Sequence, residues 1–112
     1  MTDLFQEIQR KIAELEQSVK ALRRTGTDFA EAERAYKIAC SQTALKLKDE
    51  GMPVTLIDKV IYGHKDVVDL RFKRDVAEAI YDANKEHINA TKLYIRILEE
   101  QLKREWSTPL SE

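Results

Sequence analysis

The sequence has little of what builds turns, cross-links or sheets. Its 112 residues include three glycines, two prolines and one cysteine, and aromatic residues make up 7%. A single cysteine excludes an internal disulfide and favours a reducing compartment. Scarce glycine and proline argue against a sandwich or a doubly wound sheet. Charged residues reach 35%, which is typical of long helices, and the length predicts one domain.

Long apolar runs are also missing. No stretch approaches the roughly 20 apolar residues that a membrane span requires. The first residues, MTDLFQEIQRK, lack the apolar core of a signal peptide. We therefore expect no membrane partner and a cytoplasmic location. The formal net charge of −1 also gives no overall field that attracts nucleic acid.

Apolar residues at helical spacing fill the first half of the chain. They recur at Leu4, Ile8, Ile12, Leu15, Val19 and Leu22, close to the period of a coiled-coil seam. The pattern predicts a helix over about residues 3–50. Gly26 costs about 1 kcal/mol within a helix, and Asp28 with Glu31 is able to start a new one. A continuous helix, which the apolar phase favours, and a break at Gly26 both stay open.

The stretch GMPVTLIDKVIYGHKD, residues 51–66, interrupts this pattern. Gly51 suits the left-handed position after a helix, and Pro53 follows where helices commonly stop. Thr55 suits the N-cap of a short helix over about residues 55–62, which Gly63 would close. This short helix is apolar enough that it must pack against another element.

A last helix is predicted over about residues 65–106, followed by a disordered tail at residues 107–112. It carries two apolar stripes. The first comprises Ala77, Ile80, Asn84, Ile88, Thr91, Ile95, Leu98 and Leu102. The second, with the histidine that lies between the stripes, forms the candidate oligomer interface: Phe72, Val76, Ala79, Ala83, His87, Ala90, Tyr94 and Ile97. Two stripes are wider than one neighbouring helix covers.

These elements predict an all-α fold, a long antiparallel, coiled-coil-like helical hairpin with a short helix at its bend. Residues 1–106 form a single domain in this interpretation. Copies are expected to assemble into a four-helix or larger bundle, as a dimer or a tetramer. A centred bend pairs Tyr36 with Ile80, and Leu22 with Leu93 or Tyr94.

Motifs for catalysis or cofactors are not found in the sequence. A bundle metal site uses a Glu three residues before a His, but Ile61 and Asn84 hold those positions before His64 and His87. Cys40 has no adjacent base and is expected to be an inert thiol. We expect no enzyme activity, no cofactor and no metal.

Basic residues gather near the bend. Five of them are candidate nucleic-acid contacts: Lys59, Lys65, Arg71, Lys73 and Arg74. The following helix start offers free N–H groups that suit a phosphate. Acidic residues lie among these basic ones. Ile and Val occupy the best faces of the short helix, so few of its side chains are available to contact bases. A structural cap, a nucleic-acid contact and a protein-partner site are the alternatives.

Four stretches resemble a family of small, mostly uncharacterised helical proteins encoded in prophages of Gram-positive bacteria. They are EAERAY (31–36), DEGMPVTLI (49–57), LRFKRDVAEAIYDA (70–83) and INATKLYIRILEEQLKREW (88–106). The resemblance implies a phage origin, often near replication or recombination genes, and carries over no functional residues. We expect a phage accessory or scaffold protein that acts through an unknown phage or host protein, or alternatively a nucleic-acid-binding accessory factor.

Overall fold

The described part of the chain is all-helical, as predicted, with two long helices and a short one between them. The computed structural model describes residues 2–107. Helix α1 spans Thr2–Asp49, α2 spans Val54–Val60 and is followed by a 3₁₀ turn at Ile61–Gly63, and α3 spans Val68–Ser107. Residues 108–112 of the predicted tail lie outside the described residues.

Helix α1 continues through Gly26, so the continuous alternative is the one observed. The residue has a packing reason to be glycine, since a Cβ added there would lie 3.1 Å from Cε1 of Tyr81. The ring of Tyr81 also packs 6.0 Å from the ring of Phe29. A side chain at this position would thus crowd the ring, whereas glycine, which costs roughly 1 kcal/mol inside a helix, leaves room for it.

Helix α1 ends in the way that the sequence predicts. Gly51 has φ 92°, the left-handed conformation that glycine adopts without strain. Its N–H donates to the carbonyl of Lys48 at 2.9 Å, and the N–H of Met52 donates to the carbonyl of Leu47 at 3.0 Å. These two bonds form a Schellman motif, which satisfies carbonyl groups that would otherwise lack partners at the helix end.

The predicted caps of the short helix are wrong. Pro53, not Thr55, precedes the first helical residue, and its carbonyl accepts bonds from the N–H groups of Leu56 and Ile57. Proline fits here because it has no N–H to leave unpaired at a helix start. Gly63 ends the 3₁₀ turn without adopting a positive φ.

The described chain divides into two compact units, called here unit 1 (residues 2–23 with 82–107) and unit 2 (Arg24–Tyr81). Unit 2 is a helical hairpin that contains the bend. Its core joins α1, α2, the 3₁₀ turn and the residue before α3, through Tyr36, Leu47, Ile57, Ile61 and Val67. Val67 is fully buried, so the short helix packs as the sequence requires.

Unit 1 is an antiparallel pair of helical segments. The ammonium group of Lys11 lies 4.9 Å from the ring centroid of Tyr94. Further along α1, the backbone carbonyl of Ser18 accepts a 3.0 Å hydrogen bond from the side-chain amide of Asn84 in α3. The buried residues of this unit are Ile8, Ile88, Thr91 and Leu98.

The predicted register between the long helices is wrong. In unit 2, the guanidinium of Arg74 lies 4.6 Å from the ring of Tyr36, six positions before the predicted Ile80. In unit 1, Tyr94 lies beside Lys11, far along α1 from Leu22. The bend is asymmetric, because the short helix folds back to bury Ile57 and Ile61 against α1.

Two apolar residues that the sequence pattern placed at the contact between the long helices face solvent instead. Val19 and Ile80 are each about half exposed. Their inward places are taken by Ser18 and Tyr81, which are half-buried. Partly or fully buried positions of α3 recur in strict alternation of four and three residues, at 70, 74, 77, 81, 84, 88, 91, 95, 98, 102 and 105. Spacing therefore outweighs side-chain polarity in setting the inward face.

Candidate interaction surfaces

The candidate oligomer interface lies on the part of α3 that α1 leaves uncovered. We call its eight residues the α3 stripe: Phe72, Val76, Ala79, Ala83, His87, Ala90, Tyr94 and Ile97. All eight are exposed in the single chain. Their spacing of three and four residues places them along one side of the helix. The stripe is thus an uncovered apolar surface, which is the kind that marks an interaction site.

The unit 2 end of the stripe borders an apolar cleft. Phe72 is 69% exposed, and Val76 and Ile80 are exposed beside it. The cleft has a volume of about 240 Å³ and reaches Thr25 and Asp28 on α1. Exposed aromatic and aliphatic side chains around a cleft suit an apolar partner side chain, because burying them removes their surface from water.

The unit 1 end of the stripe combines apolar and titratable groups. Tyr94 is exposed at one face while Lys11 covers the other. The Lys11 ammonium also lies 3.0 Å from Oε2 of Glu14, and the hydrogen bond to Glu14 raises the pKa of Lys11 above its ordinary value. The Nε2 atom of His87 is 3.9 Å from Oε1 of Glu14. Lys11 and His87 therefore converge on one carboxylate at the edge of the stripe.

The face of α3 that packs on α1 is buried, in contrast to the exposed α3 stripe. Ile88, Thr91 and Leu98 are buried in unit 1. Leu98 is 7% exposed, whereas its neighbour Ile97 is 55% exposed. Both are large aliphatic residues, so side-chain chemistry alone does not distinguish the covered face from the stripe. Sequence reasoning separated these two residues correctly because it used spacing.

The five basic candidates near the bend differ in whether other side chains already contact their charged groups. Lys59, Lys65 and Lys73 are exposed, and no residue in the described part of the chain forms an ion pair with them. Arg71 lies 5.0 Å from the ring centroid of Tyr62, a contact that leaves its charge exposed. These four side chains are available for a phosphate.

Arg74 is not available in the same way. Its Nε donates to Oδ1 of Asp75 at 2.7 Å, and its Nη1 lies 3.9 Å from Glu33. The hydrogen bond to Asp75 raises the pKa of Arg74 above its ordinary value. The planar guanidinium also covers the Tyr36 ring. Arg74 therefore contributes to packing within the hairpin, and its assignment as a phosphate contact stays a prediction.

Cys40 packs at the edge of the unit 2 core, where it is half-buried. It lies one helical turn after Tyr36, and the two side chains are hydrogen-bonded. Burial and this hydrogen bond raise the pKa of the Tyr36 phenol. The pair therefore has a packing role at the point where α1 meets α3.

Residues 2–107 contain neither a candidate metal cluster nor a candidate membrane-spanning helix. No cluster of three or more His, Cys, Asp or Glu side chains in that range is arranged to hold a metal ion. Among the helices described, none has the length and apolar character needed to cross a bilayer.

Comparisons of the chain with protein-family models, with curated proteins and with solved structures found no match.

Proposed function

We propose that this protein is a non-enzymatic, coiled-coil-like helical protein that self-associates through the α3 stripe and acts through protein–protein contacts. The exposure of all eight stripe residues supports this proposal. From Phe72 to Ile97 the stripe is about 37 Å long on a helix about 10 Å across. Such a strip approaches the few hundred Å² at which exposed apolar patches mark interaction sites.

A second copy of the chain is the occupant that we propose. With a net charge of −1, two copies repel each other little. The stripe is flanked by charges of both signs, Asp75 and Lys73 at one end and Arg96 at the other. A dimer of two helix pairs forms a four-helix arrangement, in which apolar faces cover one another.

The biological role we propose is that of a phage or prophage accessory or scaffold protein in the cytoplasm of a bacterial host. The four stretches that resemble prophage-encoded helical proteins support this role. An oligomer with two exposed bends would present the same surface twice to a phage or host protein, which strengthens weak contacts through effective concentration.

Sedimentation velocity of two matched variants tests self-association. Ile97→Glu places a charge within the stripe, and Gln9→Glu adds the same charge at an exposed position of α1. We expect Ile97→Glu to sediment as a monomer, because burying an unpaired carboxylate is costly. Gln9→Glu should sediment like the unmodified chain. Identical oligomers for both variants would remove the stripe from the proposal.

Nucleic-acid binding through the bend is a second proposal, supported by Lys59, Lys65 and Lys73, which are exposed and have no ion-pair partner among residues 2–107. Binding of this kind weakens as salt rises, because each phosphate contact releases counterions. A titration with duplex and single-stranded DNA at two salt concentrations tests it. We expect Lys65→Glu with Lys73→Glu to abolish binding, whereas Lys20→Glu on the first half of α1 should retain it. The absence of binding by the unmodified chain at low salt would refute this alternative.

A further inference from the structure

Tyr62 is an aromatic residue at the bend that does not belong to the core of unit 2. It lies in the 3₁₀ turn before α3, next to Ile61, which is buried in that core. Tyr62 itself is 48% exposed. Aromatic rings bring a large apolar surface and a π face to a contact, and they are enriched where proteins bind partners. The ring is therefore a candidate contact surface within unit 2.

Arg71 packs on this ring from α3. The carbon at the centre of its guanidinium lies 5.0 Å from the centroid of the Tyr62 ring, a cation–π contact over one face. Among residues 2–107, no carboxylate forms an ion pair with Arg71. A guanidinium stacked in this way keeps its N–H donors at its edge, where they suit a phosphate. The Tyr62–Arg71 pair thus presents an aromatic surface beside a positive charge.

A similar pair in unit 1 has no such unneutralised charge. Lys11 lies 4.9 Å from the ring centroid of Tyr94, but its ammonium is also 3.0 Å from Oε2 of Glu14. The charge of Lys11 is therefore balanced within the chain, whereas that of Arg71 is not. This difference indicates that the Tyr62–Arg71 pair is the one open to a negatively charged ligand.

Two lysines lie near the Tyr62–Arg71 pair in the chain. Lys59 precedes Tyr62 by three residues, a spacing that places side chains next to each other on a helical backbone. Lys65 follows Tyr62 by three residues, in the turn that leads to α3. Both lysines are exposed, and neither has an ion-pair partner in the described part of the chain. The surface therefore carries three basic residues around one aromatic ring.

The acidic residues near the bend do not cancel this charge. Asp66 already lies 3.9 Å from the ammonium of a lysine in α1. Asp69 is two residues before Arg71, a spacing that places the two on opposite sides of α3. Asp58 is the acidic residue that lies about one turn before Tyr62. One carboxylate against three cations leaves a positive potential at the surface.

Single-stranded nucleic acid has the chemistry that this surface fits. Every base has a π face that stacks on an exposed aromatic ring, and the backbone phosphates attract Lys and Arg. In a duplex the bases stack on one another, so a ring reaches a base face only if that base is unstacked first. Few side chains of α2 are available to contact base edges, so binding should show little preference for sequence.

We infer that unit 2 binds single-stranded nucleic acid at the bend, with a base stacked on Tyr62 and phosphates held by Lys59, Lys65 and Arg71. The inference rests on the second proposal above, nucleic-acid binding through the bend, and it names the class of ligand. Stacking supplies the preference for single strands, and the three cations supply affinity that falls as salt rises.

Fluorescence anisotropy of labelled oligonucleotides tests the inference. The probes are an oligothymidylate, an oligouridylate and a DNA duplex, each about 20 nucleotides or base pairs long, which is enough for one single-strand site. We expect both single strands to bind more tightly than the duplex, and a difference between the two identifies the preferred sugar. Tyr62→Leu should raise the Kd of the single strands roughly five- to hundredfold, because leucine has no π face. Tyr62→Phe should bind like the unmodified chain.

The salt dependence separates the phosphate contacts from stacking. Lys59→Gln should reduce the slope of log Kd against log salt by about 0.7, the value for one phosphate contact to a single strand. Tyr62→Leu should leave the slope unchanged, because it removes no charge. Lys20→Gln, at an exposed position of unit 1, is the matched control and should also leave the slope unchanged.

Four outcomes would contradict the inference, and they differ in what remains. Equal affinity for single strands and duplex, unaffected by Tyr62→Leu, would overturn stacking and leave nucleic-acid binding at the bend intact. An equal loss of both ligands in Tyr62→Leu would show that the ring only supports the bend. Polyglutamate that displaces the oligothymidylate as well as unlabelled oligothymidylate does would point to an acidic protein partner. No binding of any probe at low salt would refute both the inference and the second proposal.

Discussion

Leu98 and Ile97 are neighbours in α3 with nearly the same composition, and their environments are opposite. The first is 7% exposed and the second 55% exposed. Leu98 belongs to the face that packs on α1 within unit 1, and Ile97 belongs to the α3 stripe. The apolar residues of α3 therefore lie on two different faces of the helix. One face stabilises the folded chain, and the other is uncovered surface that we assign to a second copy.

The largest expected effect separates these two faces directly. Leu98→Ala should lower the free energy of unfolding by about 2–5 kcal/mol, because it removes a buried side chain and leaves a cavity. Ile97→Ala, measured in dilute protein where association is weak, should change it by less than about 1 kcal/mol. Urea unfolding followed by circular dichroism measures both. Equal losses at the lowest protein concentration would show that the two faces are not distinct in the single chain.

A smaller loss in the free energy of unfolding is expected at Gly26, where α1 lies close to the Tyr81 ring of α3. Gly26→Val should destabilise the chain by about 1–3 kcal/mol, because a Cβ there already lies 3.1 Å from the Tyr81 ring and two further methyl groups must fit. Ala30→Val, one turn away at an exposed position, is the matched control. It should cost no more than about 0.7 kcal/mol of helix propensity. A tolerated Gly26→Val would mean that the Tyr81 ring moves freely.

The smallest expected effect is on the pH dependence of folding stability, through the buried phenol of Tyr36. The raised pKa of Tyr36 means that the folded state keeps its proton more strongly than the unfolded state. This contribution to stability is present below the unfolded pKa and is lost as pH rises through the folded pKa. Stability should therefore fall more steeply with pH above about 10 in the unmodified chain than in Tyr36→Phe. Parallel stability curves from thermal unfolding would contradict this assignment.

The sequence predicts the helices well, because their signals are local. Long helical periodicity and the glycine at residue 51 are enough to place α1 and its Schellman end. The choice between Val19 and Ser18 for the inward face is harder, since it depends on spacing sustained over many turns. At Ser18 the side-chain amide of Asn84 donates a hydrogen bond to the backbone carbonyl, a contact between the two long helices that no local pattern predicts.

The register and the site are less predictable from the sequence, for a non-local reason. Lys46 lies 3.9 Å from Asp66, which places the turn before α3 level with the last turns of α1. That geometry follows from how Ile57 and Ile61 pack in the bend, and no local pattern encodes it. Similarly, five basic residues near the bend look equivalent in the sequence, while only the structure shows that Arg74 is held by Asp75, Glu33 and the ring of Tyr36.

The molar mass in solution tests the central claim most directly. Multi-angle light scattering across a range of protein concentrations should give an integral multiple of the 13.0 kDa chain mass, with Ile97→Glu giving the monomer. A mass of one chain for the unmodified protein at every concentration would contradict the account, because the α3 stripe would then be left in water without a second copy.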